Sequence, residues 1–368
     1  MQDFNYWNKI YENEELQEFN NNTLGILWLK VKSIIRSKLI DSFVIDAKIT
    51  LNETKLAKQF VELYNLLSVN PENSHLLLDS FFSSVNKMQV ELLDTQQLES
   101  ELFKMKVFDW GGDYNNSLDK YLVSRYVKVI KFYDVLMSKL ETEIGVAVQG
   151  YVLNSWYNHW SSILIEHVFK SHKSVLPTVG QIKSVDFFIN DIPFDLKVTY
   201  LPAEYIKRKR SEKGFPVELT YLKKKAREAQ INFDKEAKAS DIYYEIVEKM
   251  KNKNDSFCLS ALKTIKDQKL SILNDAINDP KILAKWLYEN QGEMRFGSEN
   301  RLFLVLVDTD DFDNSWKLKR NLELLKPKIN TYLDAFSTKQ IDDLKVTFEY
   351  SGRANKFTSI TDIIFVVK

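Results

Sequence analysis

The spacing of apolar positions along this 368-residue chain changes near residue 150. Before it, apolar side chains recur every three or four residues through Leu24 to Ile40, Lys55 to Leu67, His75 to Met88 and Leu118 to Ile144. That spacing gives a helix one apolar face, and few Gly or Pro residues interrupt it. Asn52 and Asn116 stand where N-caps are expected, and Trp110-Gly111-Gly112-Asp113 marks a turn ahead of the last long helix. Residues 1–149 are therefore expected to form a helical N-terminal region. No heptad run is long enough for a coiled coil, and nothing repeats at a fixed period.

From about Gly150 the pattern becomes mixed. Trp156 to Lys173 keeps helical spacing, with Trp160, Leu164 and Val168 on one side and Glu166 within the span. Val175 to Val179 reads as a short strand. Val185, Phe187 and Ile189 then alternate with Asp186 and Phe188, and Leu196 and Val198 alternate with Asp195 and Lys197. This is the period of two of β-strands, and Asn190 to Pro193 supply a hairpin turn. Leu219 to Phe233 predicts a helix, and the continuous apolar run Arg301 to Val307 predicts a buried strand. Leu344 to Tyr350 and Ile360 to Val367 predict two more, joined through Gly352, Asn355 and Lys356. The expected fold is α+β with an α/β core: a helical N-terminal region, then a mixed sheet flanked by helices over 150–368, with a helical insertion at about 234–290.

Composition narrows the setting. Lys and Arg number 51, as do Asp and Glu, so net charge alone points to no polyanionic or polycationic partner. A single cysteine, Cys258, excludes an intramolecular disulfide and fits a reducing cytoplasm. The first residues carry neither a basic leader nor an apolar core, and no apolar run approaches the roughly 20 residues that cross a bilayer. A soluble, cytoplasmic protein without membrane contact is expected.

The candidate chemistry lies in Ser184 to Pro202, where Asp186, Asp195 and Lys197 sit inside apolar strand-like runs. Asp195 and Lys197 share one face of their strand, and Asp186 on the neighbouring strand can point the same way. An exposed cross-strand ion pair is the ordinary explanation of an Asp-x-Lys triplet, but the surrounding positions are too apolar for an exposed hairpin. Adjacent carboxylates share a proton or hold a cation. Mg²⁺ takes one or two protein carboxylates together with water and substrate phosphate, and a nearby ammonium can position water or offset an anionic transition state.

Asp186, a turn and Asp195-Leu196-Lys197 resemble the motif of the PD-(D/E)xK (restriction-endonuclease-like) nuclease superfamily. The proline often found before the first aspartate is Val185 here. The resemblance covers about Trp156 to Val307 and implies a core of helix, three strands, helix and strand. It implies Asp186 and Asp195 as metal ligands, Lys197 as the catalytic lysine, and Glu166 as the helix acid that assists metal or water binding. The cofactor is then Mg²⁺, with Mn²⁺ as a substitute. The implied function is a DNA endonuclease in restriction or phage defence, working as a homodimer; apart from the resemblance, the helical N-terminal region is expected to organise a dimer, cover the core or bind a protein partner.

Lys207, Arg208, Lys209, Arg210 and Lys213 begin ten residues after Lys197, and Gly214 and Pro216 predict a loop over Arg210 to Val217. Beside a metal site, such a basic run suits DNA phosphates. Three other patterns compete. Asp308, Asp310, Asp311 and Asp313 follow a buried strand and resemble incomplete Toprim and haloacid-dehalogenase motifs, which would place phosphotransfer at Asp308 and Asp310; an acidic turn leading into a helix at Trp316 is the simpler reading. Trp156, Tyr157, His159 and Trp160 are expected to pack in the core rather than stack on bases. His159, His167 and His172 lack zinc-ligand spacing, and no Gly-rich phosphate loop is present. The alternative to catalysis is a nucleic-acid-binding or scaffold protein in which Asp195 and Lys197 form a buried ion pair.

Overall fold

The computed structural model describes residues 2–20, 22–109, 117–290, 299–350 and 356–368. The expected turn at Trp110 to Asp113, the cap at Asn116, and the connection at Gly352 and Asn355 lie outside these residues. The chain is mixed α+β. Helices α1 (Phe4–Glu12), α2 (Thr23–Ser33), α3 (Ser37–Asp46), α4 (Leu56–Leu67), α5 (Pro71–Glu91), α6 (Thr95–Phe103), α7 (Leu118–Leu122), α8 (Tyr133–Lys139) and α9 (Gly145–Lys170) come first. Strands β1 (Val175–Ile182), β2 (Val185–Ile189) and β3 (Ile192–Tyr200) follow, then α10 (Ala203–Glu212), α11 (Glu218–Glu228), α12 (Ala239–Lys253), α13 (Ser256–Asn278) and α14 (Pro280–Asn290). β4 (Arg301–Val307), α15 (Leu322–Ala335), β5 (Lys345–Glu349) and β6 (Lys356–Val367) complete the order. Among the described residues no helix is long and apolar enough to cross a membrane.

The chain folds into two compact units that interleave in sequence. The first comprises Met1–Trp7, Asn21–Pro193 and Asn314–Thr338. Its helix α2 is buried almost all round, with Ile26, Leu27, Trp28, Leu29 and Val31 in the core. Asn22 caps this helix by accepting from Gly25 N at 3.1 Å, which satisfies one of the end N–H groups that a helix leaves open. β1 and β2 pair antiparallel, with Val175 opposite Ile189. The expected helix from Leu24 to Ile40 is in fact two helices. The chain turns at Ile34 (φ −81°, ψ 62°), and Gly180 of β1 packs onto this corner so closely that a Cβ there would lie 2.4 Å from Ser33 O. Tertiary packing overrides local helix propensity.

Asn52 does not cap α4, where Lys55 holds the N-cap position without a side-chain bond. The N–H groups of Asn52 and Glu53 instead donate to the Glu62 carboxylate, each at 2.9 Å, and these bonds hold Glu62 below the usual carboxylate range.

The second unit comprises Asn8–Asn20, Phe194–Asp313 and Lys339–Lys368. Its strands run β3-β4-β6-β5, with β4 parallel to β3 and to β6, and β5 antiparallel to β6. All seven residues of β4 are buried, as a central parallel strand covered on both faces requires. Tyr205, Leu283, Leu287 and Tyr288 from α10 and α14 pack with Phe303, Val305 and Phe348 of the sheet. Leu222, Ala226, Ile246 and Cys258 form a separate core among α11, α12 and α13. The stretch expected as a loop from Arg210 is still helix as far as Glu212, because Tyr205, Ile206 and Arg210 supply α10 with a buried stripe at helical spacing.

Candidate active site around Asp195 and Lys197

Strand β3 places Asp195 and Lys197 on one face, as its period of two requires, and Lys197 Nζ lies 2.9 Å from Asp195 Oδ1. Asp195 is 6% exposed, whereas the lysine side chain is 37% exposed. The pair therefore straddles the boundary between core and solvent. The parallel register sets Asp195 beside Arg301 of β4, and Asp195 N donates to Asn300 O at 2.9 Å.

Two residues just ahead of Arg301 is Glu299, which is fully buried. Its Oε1 accepts from Arg301 Nε at 3.1 Å and from Nη2 at 2.6 Å. Arg301 also lies over the Tyr288 ring, 4.8 Å from its centroid, and the Tyr288 hydroxyl donates to Glu299 O at 2.9 Å. Held in this way, the guanidinium stops 3.8 Å from Asp195 Oδ2, beyond hydrogen-bond range. Neither Asp195 Oδ2 nor Glu299 Oε2 has a hydrogen-bond partner among the described residues. Burial raises the Asp195 carboxyl above its ordinary range, with Lys197 pulling the other way. Glu299 is raised for the same reason and opposed by Arg301. A buried carboxylate with one oxygen uncommitted is poised to take a proton or a cation.

The other expected ligands belong to the first unit. Asp186 is partly exposed on β2, and its backbone oxygen accepts from Thr178 Oγ1 at 3.1 Å. Glu166, on α9, pairs with Lys170 one turn later at 2.8 Å and lines a cavity with Asn86, Val90 and His167. Among the described residues, no group of three His, Cys, Asp or Glu side chains is placed to hold a metal ion. The histidines have other partners: His167 meets Val90 O at 3.2 Å, and His172 faces Asp334 at 3.3 Å. Of the four residues expected in the core, Tyr157 is buried and donates to Trp316 O at 2.9 Å, Trp156 and Trp160 are half-buried, and His159 is exposed.

The basic run is largely balanced by its own helix. Lys207 pairs with Glu204, Arg208 and Lys209 share Glu212, and Lys213 reaches Asp275 of α13. Arg210 differs from its neighbours: it is 4% exposed and turns into its own unit rather than outward to solvent, because it occupies the buried stripe of α10. The acidic turn after β4 is also tied down. Asp308 accepts from Asp310 N and from Lys368 Nζ, Asp311 accepts from Asp313 N, and Asp310 faces Lys266 at 3.1 Å.

Glu299 and Arg301 were not singled out as site residues by the sequence. Their signal is two charged side chains at the mouth of an otherwise apolar strand, and it gains meaning only once the register with Asp195 is known. A second buried cluster was also missed. Lys30 is fully buried on α2, with Asp79 at 2.6 Å, Asp191 at 2.8 Å and His75 Nδ1 at 3.1 Å. It anchors the turn in which Asn190 and Asp191 adopt positive φ. No family model matches the chain, and no curated protein or solved structure matches it.

Proposed function

We propose that this protein is a Mg²⁺-dependent DNA endonuclease of the restriction or phage-defence kind, with Asp195 and Lys197 at its active centre. The observation that carries the reading is the Asp195 carboxylate, which is buried with one oxygen on Lys197 and the other uncommitted. Such an oxygen fits a hard cation that needs only one or two protein carboxylates. Mg²⁺, when bound, supplies charge stabilisation at the phosphodiester and a more acidic water. Lys197, partly open to solvent, offers its ammonium to the anionic transition state. Glu299 holds Arg301, whose guanidinium stays 3.8 Å from Asp195 Oδ2 without a hydrogen bond to it. The chain order α9, β1, β2, β3, α10 and later β4, with β4 parallel to β3, agrees with the core that the PD-(D/E)xK resemblance implies. Within this reading Lys207, Arg208, Lys209 and Lys213 are the contacts to DNA phosphates, and a homodimer is the form that cuts both strands.

The nearness of Arg301 to Asp195 favours a second reading, in which the charges form a structural network in a non-catalytic nucleic-acid-binding protein. Calorimetric titration with Mn²⁺, together with urea unfolding, separates the two. The nuclease reading expects saturable binding to the wild type, loss of binding in Asp195→Ala, retention in Lys197→Ala, and little stability change in either. The network reading expects no binding, with each single substitution destabilising and the Asp195→Ala/Lys197→Ala double variant recovering stability.

A further inference from the structure

At the carboxyl ends of β3 and β4, about 20 Å along the sheet from Asp195 by strand rise, lies a cavity of about 410 Å³. It is bounded by Leu201 after β3, Phe312 and Asp313 after β4, Lys269 of α13, and the segment from α10 into α11. Crevices at this end of parallel strands are where open α/β sheets take ligands, and the volume is within the range of small-molecule sites.

Arg210 lines this cavity. Its Nη2 donates to Pro216 O at 3.0 Å, but its Nε and Nη1 have no hydrogen-bond partner among the described residues. The other cations on the wall are matched: Lys207 faces Glu204 at 3.4 Å, and Lys269 faces Glu218 at 2.7 Å. Among the described residues Arg210 has no comparable carboxylate partner. Burying an unpaired charge is costly, so buried charges are normally paired. A guanidinium presents its donors as a planar fork that matches a carboxylate or phosphate. The wall also carries the apolar side chains of Leu201, Ile206, Phe215 and Phe312, together with the carboxylates of Glu218, which faces Lys269, and Asp313.

We infer that this cavity is a binding site for a small organic anion, whose oxyanion head sits on Arg210 and whose apolar body lies against Phe215 and Phe312. The site is separate from the Asp195 centre and does not depend on the nuclease reading.

The test is thermal unfolding of the full chain with phenyl phosphate, benzoate, inorganic phosphate and the neutral benzyl alcohol, applied to the wild type, Arg210→Met and Arg210→Lys. A saturable rise in midpoint of at least about 2 °C is expected with phenyl phosphate or benzoate, a smaller one with inorganic phosphate, and none with benzyl alcohol. Which of the first two acts more strongly tells a phosphate head from a carboxylate head. Arg210→Met is expected to abolish the rise while unfolding no earlier than the wild type without ligand, and Arg210→Lys to weaken binding about tenfold because the fork is lost. The inference is overturned if no anion shifts the wild type, or if Arg210→Met responds equally. It is also overturned if Arg210→Met unfolds well below the wild type without ligand, which would make Arg210 a structural bond to Pro216. Weakened plasmid binding by Arg210→Met without any small-anion response would assign the phosphate to nucleic acid and overturn it as well.

Discussion

At the residue scale, the site depends on how charge is shared between Asp195, Lys197, Glu299 and Arg301. Glu299 is the only one of the four with no exposure at all, and its work is to occupy Arg301. Glu299→Gln removes that counter-charge inside the core, and a urea titration is expected to show a loss of about 3 kcal/mol. The released guanidinium should then turn to Asp195, so on the nuclease reading Mn²⁺ affinity should fall in the same variant. Lys319 offers a pH test away from the site. It is buried, donates to Asn158 Oδ1 at 2.9 Å, and burial lowers its pKa from 10.5 to about 8. Between these values the unfolded chain binds the proton that the folded chain has lost, so stability rises with pH from about 8 to 10.5 and falls again on the way down. The rise should be about 2 kcal/mol in the wild type relative to Lys319→Met, measured by chemical unfolding at pH 7.5 and pH 10. Asp195 and Lys197 were legible in the sequence because charged residues interrupted an apolar alternation. Glu299 and Arg301 were not, since their meaning comes from a register between strands far apart in the chain.

At the element scale, the corner between α2 and α3 shows packing deciding local structure. Ser33, Ile34, Ile35 and Arg36 contain no Gly or Pro, yet the helix stops there because β1 packs against it through Gly180. Gly180→Ala would push a methyl group into Ser33 O and Ile35, and a loss of about 1–3 kcal/mol is expected in thermal or urea unfolding. Asn22→Ala, which removes the α2 cap, should cost about 1 kcal/mol by the same measurement and leave metal binding untouched. The hairpin strands, β4 and the two terminal strands were legible from period-two or continuous apolar runs. The helical state of α10 through Glu212 was not, because Gly214 and Pro216 drew the expected loop too far back and Arg210 hid a buried position behind a basic side chain.

At the scale of the whole molecule, a mixed α+β architecture follows from the change of apolar period near residue 150. The interleaving of the two units does not, because the return of Asn314–Thr338 to the first unit is a matter of long-range packing that periodicity does not encode. The two proposals rest on opposite ends of β4: the Asp195 oxygen without a hydrogen bond beside one end, and the Arg210 cavity beyond the other. The most direct test of the first is cleavage of supercoiled plasmid and phage DNA in Mg²⁺ or Mn²⁺ by the wild type, Asp195→Ala and Lys197→Ala, each confirmed to be folded. Nicked or linear DNA from the wild type, abolished by EDTA and slowed at least about 100-fold in each variant, is the expected result. Intact DNA with every form of the protein, or cleavage undiminished in Asp195→Ala and Lys197→Ala, would contradict the account.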